Sequence, residues 1–182
     1  MTLSRPPEKD DRTRHERRLA LIGERYPAYP QQIALVVRTA RLIAKRLYDR
    51  ANAILLPQGL AYPEFNLLMM LYGAENYALT PSQLGDAAGE KPANITRLTN
   101  QLCGKGLIQR TASGLDRRKI SVALTPAGLK TLEDALPVVC GDLQAQTQGL
   151  TQRELAQLDR LQKKYLAQLD EHPSASAPQS QP

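Results

Sequence analysis

Residues 91–119 concentrate the side chains best suited to chemistry, with seven basic groups against one acidic group. At about 100° per residue, Ala93, Thr96, Arg97, Asn100 and Gln101 fall on one side of a helix, and Ile95, Leu98 and Leu102 on the other. Arginine, asparagine and glutamine donate to or bridge base edges and phosphates, while the small Ala93 and Thr96 let a backbone approach a groove. Ser82, Lys91, Pro92 and Asn94 flank the same surface and join it as candidate DNA contacts. Further on, Asp116-Arg117-Arg118 sets two guanidiniums at the tip of a turn, from which one can enter an electronegative minor groove. Taken alone, that pair is as readily a solvated turn; its neighbours decide the matter.

No catalytic constellation competes with this surface. There is no Ser/His/Asp set, no phosphate-cradling glycine loop and no metal-ligand spacing, and His15 and His172 stand near opposite ends. The sequence therefore reads as a binding protein, not an enzyme, with no cofactor or metal implied. Its 182 residues suit one domain of ordinary size or two very small ones. Two cysteines are too few for a disulfide framework, and Cys103 and Cys140 read as buried and inert. The longest uncharged run, 51–63, is broken by prolines and falls short of a membrane span, and the amino terminus lacks a secretory signal. A soluble, cytoplasmic protein with no membrane partner is expected.

The net charge of +6 is unevenly placed: residues 1–50 carry +6, 51–90 carry −4, 91–119 carry +6 and 120–182 carry −2. A localised polyanion-binding surface fits this better than a uniformly basic coat. In the first block, Arg12, Arg14, Arg17 and Arg18 read as a solvated helix or dimer packing in preference to an arm on DNA.

The elements around the site follow from periodicity and caps. A short charged helix is expected over 10–25 and a strong one over 31–56, apolar on two sides and so central to a core or a subunit interface. A dense apolar helix follows over 63–74. Thr80-Pro81-Ser82-Gln83 carries a capping box for a short helix bracketed by Gly85 and Gly89, and Pro92 opens the next, which runs to about Cys103. Strands are expected over 107–111 and 119–124, joined by a loop over 112–118. Thr125-Pro126 starts a long helix with a seam of Leu129, Leu132, Leu136, Val139 and Leu143, kinked at Pro137. Thr151 caps a last helix with the seam Leu155, Leu158, Leu161, Tyr165 and Leu169. The fold class is mainly α: a winged helix-turn-helix with a two-stranded β wing and an α-helical dimerisation region. The divisions are a disordered 1–9, N-terminal dimerisation and effector helices over 10–60, a DNA-binding domain over 61–125, dimerisation helices over 126–172, and a disordered tail over 173–182.

These runs resemble the multiple antibiotic resistance regulator (MarR) family. The likeness rests on 79–84, on Asn94-Ile95-Thr96-Arg97-Leu98, on Gly106-Leu107-Ile108-Gln109-Arg110, and above all on the stretch from Asp116 through Ile120 and Leu124 to Gly128. It covers roughly 31–169, and Leu136-Pro137 resembles the branch that represses multidrug efflux. The resemblance implies a homodimer on a pseudo-palindromic operator in double-stranded DNA, with Arg117 or Arg118 as the wing arginine and Asp116 orienting it. It also implies a repressor released by a small aromatic acid or phenolic effector, controlling efflux or aromatic-acid catabolism. For such an effector, Arg41 and Tyr48 offer a cation and a phenol beside apolar surface, near Lys45 and Asn52, with Met69 and Met70 as candidate walls. The plainer alternative for that strip is a snorkelling boundary face. The rival function is a winged-helix module that binds protein and has no operator.

Overall fold

The computed structural model describes the backbone of residues 9–113 and 116–172 and the side chains of 16–111 and 120–172. The termini expected to be disordered, 1–9 and 173–182, lie outside the described residues apart from Lys9. The elements are α1 (Lys9–Arg25), α2 (Gln31–Leu55), α3 (Tyr62–Tyr72), β1 (Ala78–Leu79), α4 (Pro81–Ala88), α5 (Pro92–Gly104), β2 (Ile108–Ser113), β3 (Asp116–Leu124), α6 (Pro126–Thr147) and α7 (Gln152–Glu171). The three strands form one antiparallel sheet in the order β1-β3-β2.

Two features of the sheet differ from expectation. The two-residue β1, too short to show a period of its own, pairs Ala78 with Ala123 and Leu79 with Val122. The hairpin strands also extend into the segment expected as a loop, leaving only 114 and 115 between them. Their ladder jumps from Ala112 opposite Ile120 to Ser113 opposite Asp116, so 117–119 have no partner on β2. Such an irregularity lets a hairpin lengthen without a regular hydrophobic alternation to announce it.

The core is built where the short elements meet. Leu67, Leu68 and Leu71 of α3, Leu84 of α4, Ile95, Leu98 and Leu102 of α5, and Val122 and Leu124 of β3 are all buried. Each leucine so buried contributes about 1.5–3 kcal/mol. The Thr80 cap forms as the sequence implies: its hydroxyl accepts from Gln83 N at 3.3 Å, and Gln83 Oε1 accepts from Thr80 N at 2.9 Å. Gly89 closes α4 at φ 65°, a left-handed turn that costs a glycine little. At the other end of the sheet, Thr125 N donates to Leu107 O at 3.1 Å and Thr125 Oγ1 to Gly106 O at 2.7 Å, docking α6 on the start of β2.

The seam of α6 divides between two surroundings. Leu132 and Ala135 are fully buried and belong to the winged core, with Leu136 and Val139 packed against it, whereas Leu143 is exposed. Periodicity marked one continuous seam because it records which face is apolar, not what covers it. The helix continues through Pro137, whose missing N–H leaves Glu133 O without its usual partner. Cys140, expected to be buried, is exposed, and Cys103 is half-buried. α7 buries none of its residues. α2 buries only Leu55, and Ile33, Val36, Ile43 and Leu47 stand in solvent, so within one chain it is not central to a core.

Candidate nucleic-acid interface

α5 is fixed from beneath and from both ends. Ile95, Leu98 and Leu102 anchor its underside, Pro92 starts it, and Gly106, at φ 71°, turns the chain out into β2. At its C-terminal end Lys105 Nζ donates to Glu64 at 2.7 Å and to Gly59 O at 2.9 Å. Glu64 is 4% exposed and also accepts from Ala61 N at 2.8 Å. One buried carboxylate thus holds both the entrance of α3 and the exit of α5. A buried charge is tolerable when paired and hydrogen-bonded in this way.

The outward face is polar and internally linked. Thr96, Arg97, Asn100 and Gln101 are exposed, as are Ser82 on α4 and Lys91 and Pro92 at the start of α5, while Asn94 is half-buried. Arg97 donates to Asn94 Oδ1 through Nε at 3.1 Å and Nη2 at 2.7 Å, and to Gln101 Oε1 through Nη1 at 2.9 Å. Asn94 in turn donates to Glu90 at 2.6 Å. From β2, Arg110 Nη2 reaches Thr99 Oγ1 and Asn100 Oδ1, both at 2.7 Å. In the sequence Arg110 stands only as the end of the Gly106–Arg110 run, with no role of its own. Only the register of β2 against α5 brings it to the recognition face.

The structure brings the α4 and α5 candidates onto one surface beside the hairpin. Asp116, Arg117 and Arg118 lie on β3 with their backbone described, and their side chains lie outside the described residues. The candidate effector residues are not brought together. Arg41 lines a cavity of about 570 Å³ between α1 and α2, with Tyr29, Val37 and Arg38. Tyr48 lines another, of about 420 Å³, between α2, α3 and α6, with Tyr62, Phe65 and Val139. The rings of Tyr48 and Tyr62 meet edge to face, 5.6 Å apart. Met69 and Met70 border neither cavity and pack against the core. Among the described residues no cluster of His, Cys, Asp or Glu could hold a metal, and no helix is long and apolar enough to cross a membrane.

Comparison with known proteins gives the same outline. A family model described as MarR family matches residues 58–119. The transcriptional repressor MprA of Escherichia coli K12 is 31% identical over 156 residues, covering 86% of this chain and 89% of the relative. The HTH-type transcriptional regulator PrsX of E. coli is 30% identical over 145 residues, covering 80% and 87%. Among solved structures, a mutant MarR from E. coli complexed with operator DNA superposes with TM-score 0.67 at 27% identity, covering 80% of this chain and 98% of the other. AbsC from Streptomyces coelicolor, at 22% identity and TM-score 0.70, shares the fold over 78% of this chain and 95% of its own.

Proposed function

As this chain belongs to the MarR family, we propose that it is a homodimeric transcriptional repressor that binds a pseudo-palindromic operator and leaves it when a small aromatic effector binds. The observation that carries this reading is the α5 face, where Arg97, Asn100 and Gln101 stand exposed on a helix whose other side is locked into the core beside a two-stranded wing. A helix held this way fits a major groove, and the wing then lies against the adjoining minor groove. Two winged lobes, one per protomer, address two half-sites. The relatives are transcriptional regulators, and the function is that of a regulator and not of an enzyme.

Dimerisation is supported by the apolar side chains that one chain leaves uncovered. Leu158, Leu161, Tyr165 and Leu169 of α7, with Ile33 and Val36 of α2, are all more than a third exposed on helices that bury almost nothing. Effector release is supported by the cavity between α2, α3 and α6, since it joins the helices that would carry the dimer to the entrance of α3. Its phenol and aromatic walls suit an aromatic compound, and the controlled genes are those of efflux or of aromatic-acid catabolism.

Titration of duplex DNA against salt tests the core of the proposal. Neutralising about six phosphates gives a log–log slope of about −5. An affinity flat with salt would mean no counterions are released, and the protein-binding alternative would take its place.

A further inference from the structure

Arg110 fixes which way one amide on the recognition face points. Thr99 is 2% exposed, and its hydroxyl proton is committed to Ile95 O at 2.8 Å or to Thr96 O at 3.1 Å. The contact between Thr99 Oγ1 and Arg110 therefore runs one way, with the guanidinium donating. A guanidinium has no acceptor, so the group that the same Nη2 meets on Asn100 must be an oxygen. Asn100 Oδ1 is thus turned toward β2, and Nδ2 is left facing outward. Asn100 stands at the middle of the exposed face, in line with Ala93 and Arg97 and opposite Ile95, Leu98 and Leu102.

Resting on the DNA-binding reading above, we infer that Asn100 reads the major groove as a donor only, with Arg110 as its positioning residue, and that the base beneath it is guanine. An asparagine that recognises adenine uses both ends of its amide, accepting from N6 and donating to N7. Here Arg110 turns Oδ1 toward β2, so that, although the oxygen keeps a second lone pair, the amide does not set both of its ends toward a single adenine edge. Guanine presents N7 and O6, two adjacent acceptors with no donor between them, and matches the outward Nδ2 and the remaining guanidinium N–H groups. Arg97 imposes the same polarity on Gln101 by occupying Oε1. Among the described residues Arg97 is tied to Asn94 and Gln101 of its own helix, whereas Arg110 is anchored on a strand and on a buried hydroxyl, so the assignment rests on Arg110.

The test is selection of bound duplexes from a random-sequence library by the wild-type protein, by Asn100→Ala and by Arg110→Met, followed by affinity measurements on the selected duplex. The position whose preference disappears in Asn100→Ala marks the base pair under that residue. Guanine is expected there with the wild type, and 7-deazaguanine at that position should weaken binding by about tenfold. In Arg110→Met the freed Oδ1 should move the preference to adenine, a change of identity that a merely structural loss would not produce. Adenine in the wild-type site, full affinity with 7-deazaguanine, no position altered by Asn100→Ala, or unchanged guanine preference in a folded Arg110→Met would each overturn the inference. The 7-deazaguanine measurement uses only the wild-type protein and stands if Arg110→Met does not fold. Absence of any salt-dependent duplex binding would remove the DNA-binding reading itself, which these outcomes keep separate.

Discussion

Single residues in this chain are constrained by closeness more than by chemistry. A Cβ placed on Gly128 would stand 1.9 Å from Leu107 O, the carbonyl that also receives Thr125 N. Either α6 or β2 must shift to admit it, and overpacking of that kind costs about 1–3 kcal/mol. Gly128→Ala should lower the urea midpoint by the corresponding amount. Gly141, in the same helix, has nothing within 4 Å of its added Cβ. There alanine should stabilise the chain by about 0.5–1 kcal/mol, through helix propensity alone. A loss at Gly141 would show that another chain lies against that point. Neither outcome is legible in the sequence, where both are glycines in a helical run. Signals confined to one turn are legible in the sequence: Thr80 with Gln83 and Thr151 with Glu154 cap the helices they announce, and Pro92 opens the first turn of α5. Arg110 and Gly128 act across the junction of β2 with α5 and α6, and a distance of that kind leaves no trace in spacing.

Apolar stripes on the helices have different fates according to what covers them. In α6, Leu132 is fully buried in the winged core while Leu143, on the same seam, is 57% exposed. Leu132→Ala should therefore cost about 2–5 kcal/mol of stability in denaturant melts. Leu158→Asp with Leu169→Asp removes apolar surface that touches no core and should leave the winged lobe folded. Sedimentation of that double variant should show monomers, and a persistent dimer would refute α7 as the interface. The heptad-like spacing of α6 and that of α7 look alike in the sequence, so a single dimerisation role for 126–172 was the natural reading. Within one chain Leu132 and Ala135 of α6 are buried in the winged core, where α6 meets α3 and β3, a surface that only the tertiary fold creates. α2 shows the converse: its two apolar sides were visible, and the choice between core and interface was not. With Ile33 and Val36 in solvent, the core alternative falls within one chain.

At the scale of the molecule the question is which of the two basic blocks meets DNA. The stretches 1–50, 51–90 and 120–182 cancel in formal charge, so the whole excess of +6 is carried by 91–119. That stretch includes α5, β2 and the start of β3, and on it Lys91, Arg97, Lys105 and Arg110 are exposed. The arginines near the amino terminus have another setting, since Arg17 and Arg18 are exposed on α1, a helix packed against α2 and distant in sequence from the recognition surface. Salt dependence separates the two blocks, because each phosphate left without its cation reduces the log–log slope by about 0.9 whatever the absolute affinity. Arg117→Ala with Arg118→Ala should make the slope shallower by about one unit or more. Arg17→Ala with Arg18→Ala removes the same formal charge and should leave the slope where it is. Equal flattening by both pairs would mean that α1 also reaches the duplex and that the charge partition is not a map of the interface. A shallower slope from the wing pair alone would tie the excess charge to the groove contacts, since net charge by itself cannot tell the two variants apart.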